Sequence, residues 1–281
     1  MLKASSTKIE TMATAIVWLM AFLTISIFVF MLSDIFWQGI QGLSWDFLTS
    51  EPSRSGREGG ISTIIISTLL ILFVCMIVAA PLGLATALLL AEFSSKNGFF
   101  SRTIRFSLDV LAGVPSILFG LFGNAFFCMT LGLGFSILSG GLTLACMALP
   151  IIIRSTEVAL RAVPNENRLA GSALALSKST IIFQLLIPAA LPGLTVGLVL
   201  GIGRAIAETA ALIFTSGYVD RMPSSLMDSG RALSVHIFDL SMNVPGGDSN
   251  AYRSTVVILF VILIANGIAT ILADRWLGRK V

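Results

Sequence analysis

The chain has 281 residues, 56% of them hydrophobic and 12% charged, with a mean hydropathy of +0.94. Soluble domains carry about 25% charged residues, so this composition excludes an ordinary water-soluble domain and points to lipid as the solvent. A formal charge of +3 does not indicate nucleic acid, because no basic patch with interleaved aromatics occurs and membrane proteins collect Lys and Arg in cytoplasmic loops.

A helix needs about 20 apolar residues to cross a bilayer, and six stretches qualify: 14–32, 61–91, 106–131, 135–153, 191–214 and 255–273. The expected fold is therefore all-α, one integral membrane domain over 1–281 with six transmembrane helices. The first stretch follows Lys3 and Lys8 as a leader would, but it lacks a small-residue cleavage site before Asp34, so it reads as an uncleaved span. The second is interrupted on paper by Pro81-Leu82-Gly83, and the third is crowded with Gly113, Pro115, Gly120 and Gly123. Cys75, Cys128 and Cys146 all lie in apolar stretches, as small buried or lipid-facing residues rather than a disulfide framework.

Placing the N-terminus inside puts twelve Lys and Arg on inner segments, namely Lys3, Lys8, Lys96, Arg102, Arg105, Arg154, Arg161, Arg168, Lys178, Arg275, Arg279 and Lys280. Outer segments hold five: Arg54, Arg57, Arg221, Arg231 and Arg253. Both termini are thus expected in the cytoplasm. Segments 34–60 and 218–252 then lie outside, and 155–190 inside. In 218–252, Leu226, Leu233, Ile237 and Leu240 recur at helical spacing, which predicts a short amphipathic helix at the outer surface.

In the inner segment, helix formers and small residues run from Asn165 to Leu176, Ser177–Thr180 reads as a turn, and a second short helix is expected over 181–187, stopped by Pro188 and Pro192. Ala170, Gly171 and Ala173 would let another protein's backbone come close. On spacing alone, a loop that packs on its own spans fits equally well. The stretch resembles the loop by which ABC-importer permeases dock into their ATPase, with a Glu-Ala-Ala, Gly-Ala-Ser and Leu-Pro pattern. Aligned on Ser177-Lys178 and Pro188, Leu169 stands at the Glu position and Ala175 at a Gly position. The resemblance makes Ala170, Gly171, Ala175, Ser177 and Lys178 the coupling-loop residues. The missing carboxylate removes a polar contact, while Ala in place of Gly is expected to matter little in a helical backbone.

The fifth span carries Gly193, Gly197, Gly201 and Ala205 at intervals of four, a small-residue stripe for close helix packing; Gly113 and Pro115 of the third span belong to the same packing class. Beside the stripe, Arg204 and Glu208 are four residues apart, so on an unbroken helix they share a face. A charge at the centre of a span costs roughly 2.5–3.5 kcal/mol on insertion scales. A structural ion pair is one reading. The other is a guanidinium facing a cavity, suited to an oxyanion, with Glu208 orienting and partly neutralising it.

Ile202 to Ala210 resembles the Arg-Ala-x-Gly-Glu-Thr-Ala signature of phosphate permeases, with Ala207 in place of one Gly, and Gly113-Val114-Pro115-Ser116 to Gly120-Leu121-Phe122-Gly123 resembles a second run of that family. Length, six spans and motif order are similar to PstA-type subunits of phosphate ABC importers over nearly the whole chain. The resemblance implies a second, PstC-like permease, two PstB-like ATPases and an external PstS-like phosphate-binding protein, with Arg204, Glu208 and Thr209 on the substrate pathway. It also implies that this chain binds no cofactor, ATP and Mg belonging to the partner ATPase. No Gly-x-x-x-x-Gly-Lys-Ser/Thr loop occurs, since Leu176 to Thr180 lacks the glycine before Lys178. The one histidine, His236, falls in an outer loop and reads as solvated, which leaves no His-based metal site and no enzyme. An ion-coupled secondary transporter would show discontinuous helices in matching halves, and no such symmetry is visible. Sulfate, molybdate and phosphonate are the rival cargoes.

Overall fold

The computed structural model describes residues 2–95 and 98–278, with side chains placed between 10 and 271 apart from 96–97. Of the basic residues that oriented the sequence, Lys96, Arg279 and Lys280 lie outside the described residues, as do the side chains of Lys3, Lys8 and Arg275.

The first helix, α1 (Leu2–Ile40), runs well past its apolar stretch. It packs along the last helix, α11 (Asp248–Gly278), where Phe36 and Phe260 meet edge-on at 6.4 Å. Most of its apolar side chains, Trp18 and Phe30 among them, are exposed, as a helix facing lipid or another membrane chain requires. A short α2 (Trp45–Thr49), capped by Ser44 Oγ accepting from the Phe47 N–H at 3.1 Å, leads into a hairpin that pairs Pro52 with Gly59.

The centre of the bundle is α3 (Ser62–Phe93) packed parallel on α6 (Ile137–Ala162), with Val74 beside Gly141 and Leu90 beside Arg161. The expected interruption at Pro81 is absent: the helix continues through it, as lipid-embedded helices tolerate when neighbours re-satisfy the freed backbone. Gly83 instead lets α6 approach, since a Cβ there would lie 2.6 Å from Ile152 Cγ2. Without a hydrophobic drive between helices in lipid, such close van der Waals approach is what holds them. Ser136 caps α6, its Oγ accepting from Ser139 N–H at 3.1 Å.

The third expected span is two helices, α4 (Phe99–Gly113) and α5 (Ser116–Thr130), bent by 101°. Val114, before Pro115, is extended (φ −71°, ψ 128°), as the proline ring demands of its predecessor. Counted with this broken pair, six segments are long and apolar enough to cross a membrane.

After α6, Val163 and Pro164 form an extended joint to α7 (Asn165–Ala173), which is shorter than the sequence suggests. The next helix also departs from expectation. No stop occurs at Pro188 or Pro192; α8 runs unbroken over Lys178–Ala207. The turn Ile181–Leu186 is widened, with Ile187 N–H reaching back five residues to the Ile182 carbonyl. That wider turn accommodates Pro188, which has no N–H and a ring that crowds the preceding turn. The fifth expected span is in turn cut at Glu208 and resumes as α9 (Ala210–Ile213).

Within 218–252 the expected helix exists as α10 (Leu233–Met242), without Leu226, with Phe238, Ser241 and Met242 exposed and its other face buried in the protein. Leu233, Val235, His236 and Leu240 are buried, and Leu233 N–H donates to Thr68 Oγ1 of α3 at 2.8 Å. His236 is fully enclosed rather than solvated. Its Nδ1 lies 3.4 Å from Arg231, Arg231 pairs with Asp239 at 3.4 Å, and Gly56 of the hairpin closes over the ring. Outside the spans and cut off from water beside Arg231, the imidazole is pushed down to about 4.

Candidate functional site: a broken span and a coupling loop

The small-residue stripe of α8 faces α6. A Cβ on Gly193 would strike Ala159, one on Gly197 would lie 2.9 Å from Ser155, and one on Gly201 would lie 3.0 Å from Ile152. One turn further, Ala205 joins the cluster that contains Ala148. Arg204 therefore lies level with the middle of α6, a helix that spans 26 residues, close to mid-bilayer. Gly113, by contrast, has nothing within 4 Å of a hypothetical Cβ, and Pro115 is exposed at the start of α5. Neither packs another helix. The close approaches of that segment are made by Gly120 against Ala211 and by Gly123 against Thr143.

Arg204 and Glu208 do not form the i, i+4 pair that helical spacing implies. Glu208 is extended (φ −75°, ψ 127°), so the 100° per residue that would stack the two side chains stops at Ala207. The Glu208 carboxylate accepts from Ala211 N–H at 3.1 Å and caps the short α9, while its backbone carbonyl accepts from Ser234 Oγ at 2.6 Å. Both ends of the residue are thus engaged in holding the break open. Arg204 is exposed and has no hydrogen bond or ion pair among the described residues, and its neighbour Gly203 faces open space. Thr209 is half-buried at the break. Backbone of this kind at membrane depth is tolerated where it is enclosed by protein or lines a cavity.

The residues expected to couple to an ATPase sit at the opposite end of α8. Gly171 is the contact residue: a Cβ there would lie 2.7 Å from Ile181. Ala170, Leu169 and Leu174 are exposed on the other side of α7. Leu176 N–H bonds the Gly171 carbonyl at 3.1 Å and Ala175 N–H bonds Ser172 at 3.0 Å, the paired bonds of a Schellman ending. That ending puts Ala175 at φ 51°, the left-handed region that glycine occupies at no steric cost. Ala175 is therefore strained, and the expectation that Ala substitutes harmlessly there fails because the residue is past the helix end, not in it. Ser177 caps α8, its Oγ accepting from Thr180 N–H at 3.2 Å.

What ties α7 to the membrane spans was not visible in the sequence. Arg168 grips Glu92 at the end of α3 at 2.6 Å and also donates to the carbonyls of Val163 and Leu160 at 2.8 and 2.9 Å. Lys178 donates to the Glu92 carbonyl at 3.0 Å and lies 4.0 Å over the Phe93 ring. Beneath them the buried Glu157 accepts from Arg105 Nε at 3.0 Å and from Arg161 Nε at 2.9 Å. Arg168 thus anchors α7 to the ends of α3 and α6. A hint existed in Glu157 with Arg154 and Arg161 at helical spacing, but its depth did not.

The comparisons with known proteins fit this architecture. Residues 79–281 match the family described as "Binding-protein-dependent transport system inner membrane component". The chain is 31% identical to a probable ABC transporter permease, YqgI, of Bacillus subtilis, over 97% of this chain and 96% of that protein. It is 39% identical to phosphate transport system permease protein PstA 1 of Mycobacterium tuberculosis over 57% of this chain, though the match spans only 52% of that relative. Among solved structures, a bacterial ABC transporter involved in alginate import superposes with a TM-score of 0.62 at 14% identity, over 92% of this chain and 96% of that one. The chain belongs to the binding-protein-dependent transport system inner membrane component family, as a multi-pass ABC-importer permease of the bacterial plasma membrane that works with another permease, an ATPase and a binding protein.

Proposed function

We propose that this chain is the PstA-like permease of an ATP-driven phosphate importer and forms half of its translocation pathway. The observation that carries the proposal is Arg204: an exposed guanidinium near mid-bilayer, next to a broken span and beside the open face at Gly203, with no hydrogen bond or ion pair among the described residues. An arginine in that position offers a planar fork of donors to a tetrahedral oxyanion once the second, PstC-like permease encloses the face. The flanking residues, similar to a phosphate-permease signature, and several curated relatives named as PstA favour phosphate over sulfate, molybdate or phosphonate.

In this reading Glu208 does not neutralise Arg204 directly. It fixes the break and supplies a compensating charge nearby, while Thr209 adds a hydroxyl at the same level. Both termini and the 155–190 loop are cytoplasmic. The exposed side of α7, with Ala170, and the turn holding Ala175, Ser177 and Lys178 dock on a PstB-like ATPase, which binds the ATP and Mg. A PstS-like protein delivers phosphate at the other face. ATP-driven closure of the ATPase pair moves α7, and the continuous α8 carries that movement directly to Arg204.

The test is radiolabelled phosphate uptake into proteoliposomes containing all four co-encoded components. Wild type is expected to import phosphate with ATP and to resist excess sulfate and molybdate, and Arg204→Gln is expected to lose uptake while still assembling. Competition by sulfate or molybdate would instead make one of those the cargo. Uptake retained in assembled Arg204→Gln would remove the passage role.

A further inference from the structure

At the root of the coupling loop a polar-walled cavity of about 340 Å³ opens between three elements: the end of α3 at Ala91, the end of α6 at Arg161, and the Pro164 joint with Asn165 and Arg168 of α7. It lies near the inner end of the spans, far from Arg204 along α8. Two guanidinium groups line it. Most of their donors are committed, but Arg161 uses only Nε, toward Glu157, and Nη2, toward the Leu90 carbonyl; its Nη1 has no partner among the described residues. Pro164 provides no side-chain cap to the start of α7 beside the cavity; its carbonyl accepts from Asn167 N–H at 3.2 Å. The carboxylates near it are Glu92, held by Arg168, and Glu157, shared among arginines. Glu166 is exposed and is not part of the wall.

We propose that this cavity is a second anion site that takes a phosphate-type oxyanion, held by Arg161 Nη1 and the Asn165 amide, with Arg168 contributing charge. The walls are too polar for an acyl chain, and the volume is at the lower end of small-molecule sites. Free inorganic phosphate and the headgroup of an anionic lipid share the required chemistry. An ion there bridges α6 and α7 across the two-residue joint through which the loop must move, so its occupancy stiffens that joint. The site does not depend on which substrate the permease carries.

The test uses the full chain in phosphatidylcholine nanodiscs, with melting followed after adding inorganic phosphate against chloride at equal ionic strength, and separately after including phosphatidylglycerol. One of the two is expected to raise the melting temperature by about 3 °C. The rise should persist in Arg204→Gln and disappear in both Arg161→Gln and Asn165→Asp. Asn165→Asp places a negative charge where the helix dipole favours it, so it keeps the fold even if Arg161→Gln does not. A rise with phosphate identifies the free ion as the source, and a rise with phosphatidylglycerol alone identifies the headgroup. The proposal is overturned by no rise with either probe, by a rise that survives Asn165→Asp, or by a rise lost in Arg204→Gln, which would mean that phosphate binds only on the pathway. A rise that requires the ATPase subunit would overturn it in favour of a carboxylate from that partner.

Discussion

The two ends of α8 handle charge in opposite ways. At the coupling-loop end, Arg105, Arg154, Arg161, Arg168 and Lys178 are all tied to carboxylates or carbonyls of α3, α4 and α6. Near mid-bilayer, where an unpaired charge is most expensive, Arg204 has no partner among the described residues. The first arrangement makes a rigid joint. The second is complete only when something outside the chain arrives. Arginines tied to neighbouring helices therefore mark where force passes between elements, and the arginine with no such tie marks the translocation path.

The comparison breaks most visibly at Glu157, which is almost fully buried under two arginines that are about a fifth exposed (22% and 21%). Removing one partner of a buried pair leaves uncompensated charge, at 3–5 kcal/mol in typical cases. Partial exposure of the guanidinium groups puts Glu157→Gln at about 3 kcal/mol, at the low end of that range. Melting of the purified chain in detergent should show this loss. An unchanged melting temperature would mean that the network is decoration.

A third region sharpens the contrast, because its charge balance can be changed without mutation. His236 is enclosed as the neutral form beside Arg231 and Asp239, with a folded value of about 4 against 6.5 when unfolded. Between these values the unfolded chain binds the extra proton, so stability is full above pH 6.5 and falls as the pH drops toward 4. By pH 5.5 the loss should be about 1 kcal/mol. Melting at pH 7.5 and 5.5 measures it, and His236→Gln should flatten the difference. An equal acid loss in that variant would assign it to other groups.

Much of this fold could be read in advance because lipid imposes a simple demand: runs of about 20 apolar residues must be helices. What could not be read is where those helices break. Pro81, Pro188 and Pro192 look like stops, yet all three lie in continuous helix, whereas Val114-Pro115 does break the third span. Local sequence does not separate these cases, because neighbouring helices decide whether the freed backbone groups are satisfied. Glu208 is harder still. It sits among good helix formers, and only Ala211 N–H and Ser234, 26 residues away, reveal why the helix ends there. Arg204 was legible from its chemistry, but its lack of a partner was not, since an i, i+4 argument presumes the unbroken helix that the break removes.

Ala175 tests the rigid end more gently. It holds a left-handed conformation (φ 51°) at the end of α7 and is exposed. Such a residue costs roughly 1–2 kcal/mol, and Gly would recover part of that while adding freedom to the unfolded chain. Ala175→Gly is expected to stabilise the chain by about 0.5 kcal/mol. A loss of stability would mean that the turn depends on its Cβ.

The smallest effect belongs to the residue with the largest proposed role. Arg204 makes no hydrogen bond or ion pair among the described residues, so Arg204→Gln should leave the stability of the isolated chain, read from its melting, within about 0.5 kcal/mol of wild type. Stability and transport should then separate at this one position: uptake lost, fold intact. Glu157 should behave in the reverse order, losing stability first and transport only as a consequence. If Arg204→Gln instead melted as early as Glu157→Gln, the guanidinium would have to be paired inside the chain in solution. The open middle and the saturated end would then be two versions of the same structural network, and the opening beside Gly203 would no longer single out a path for an anion.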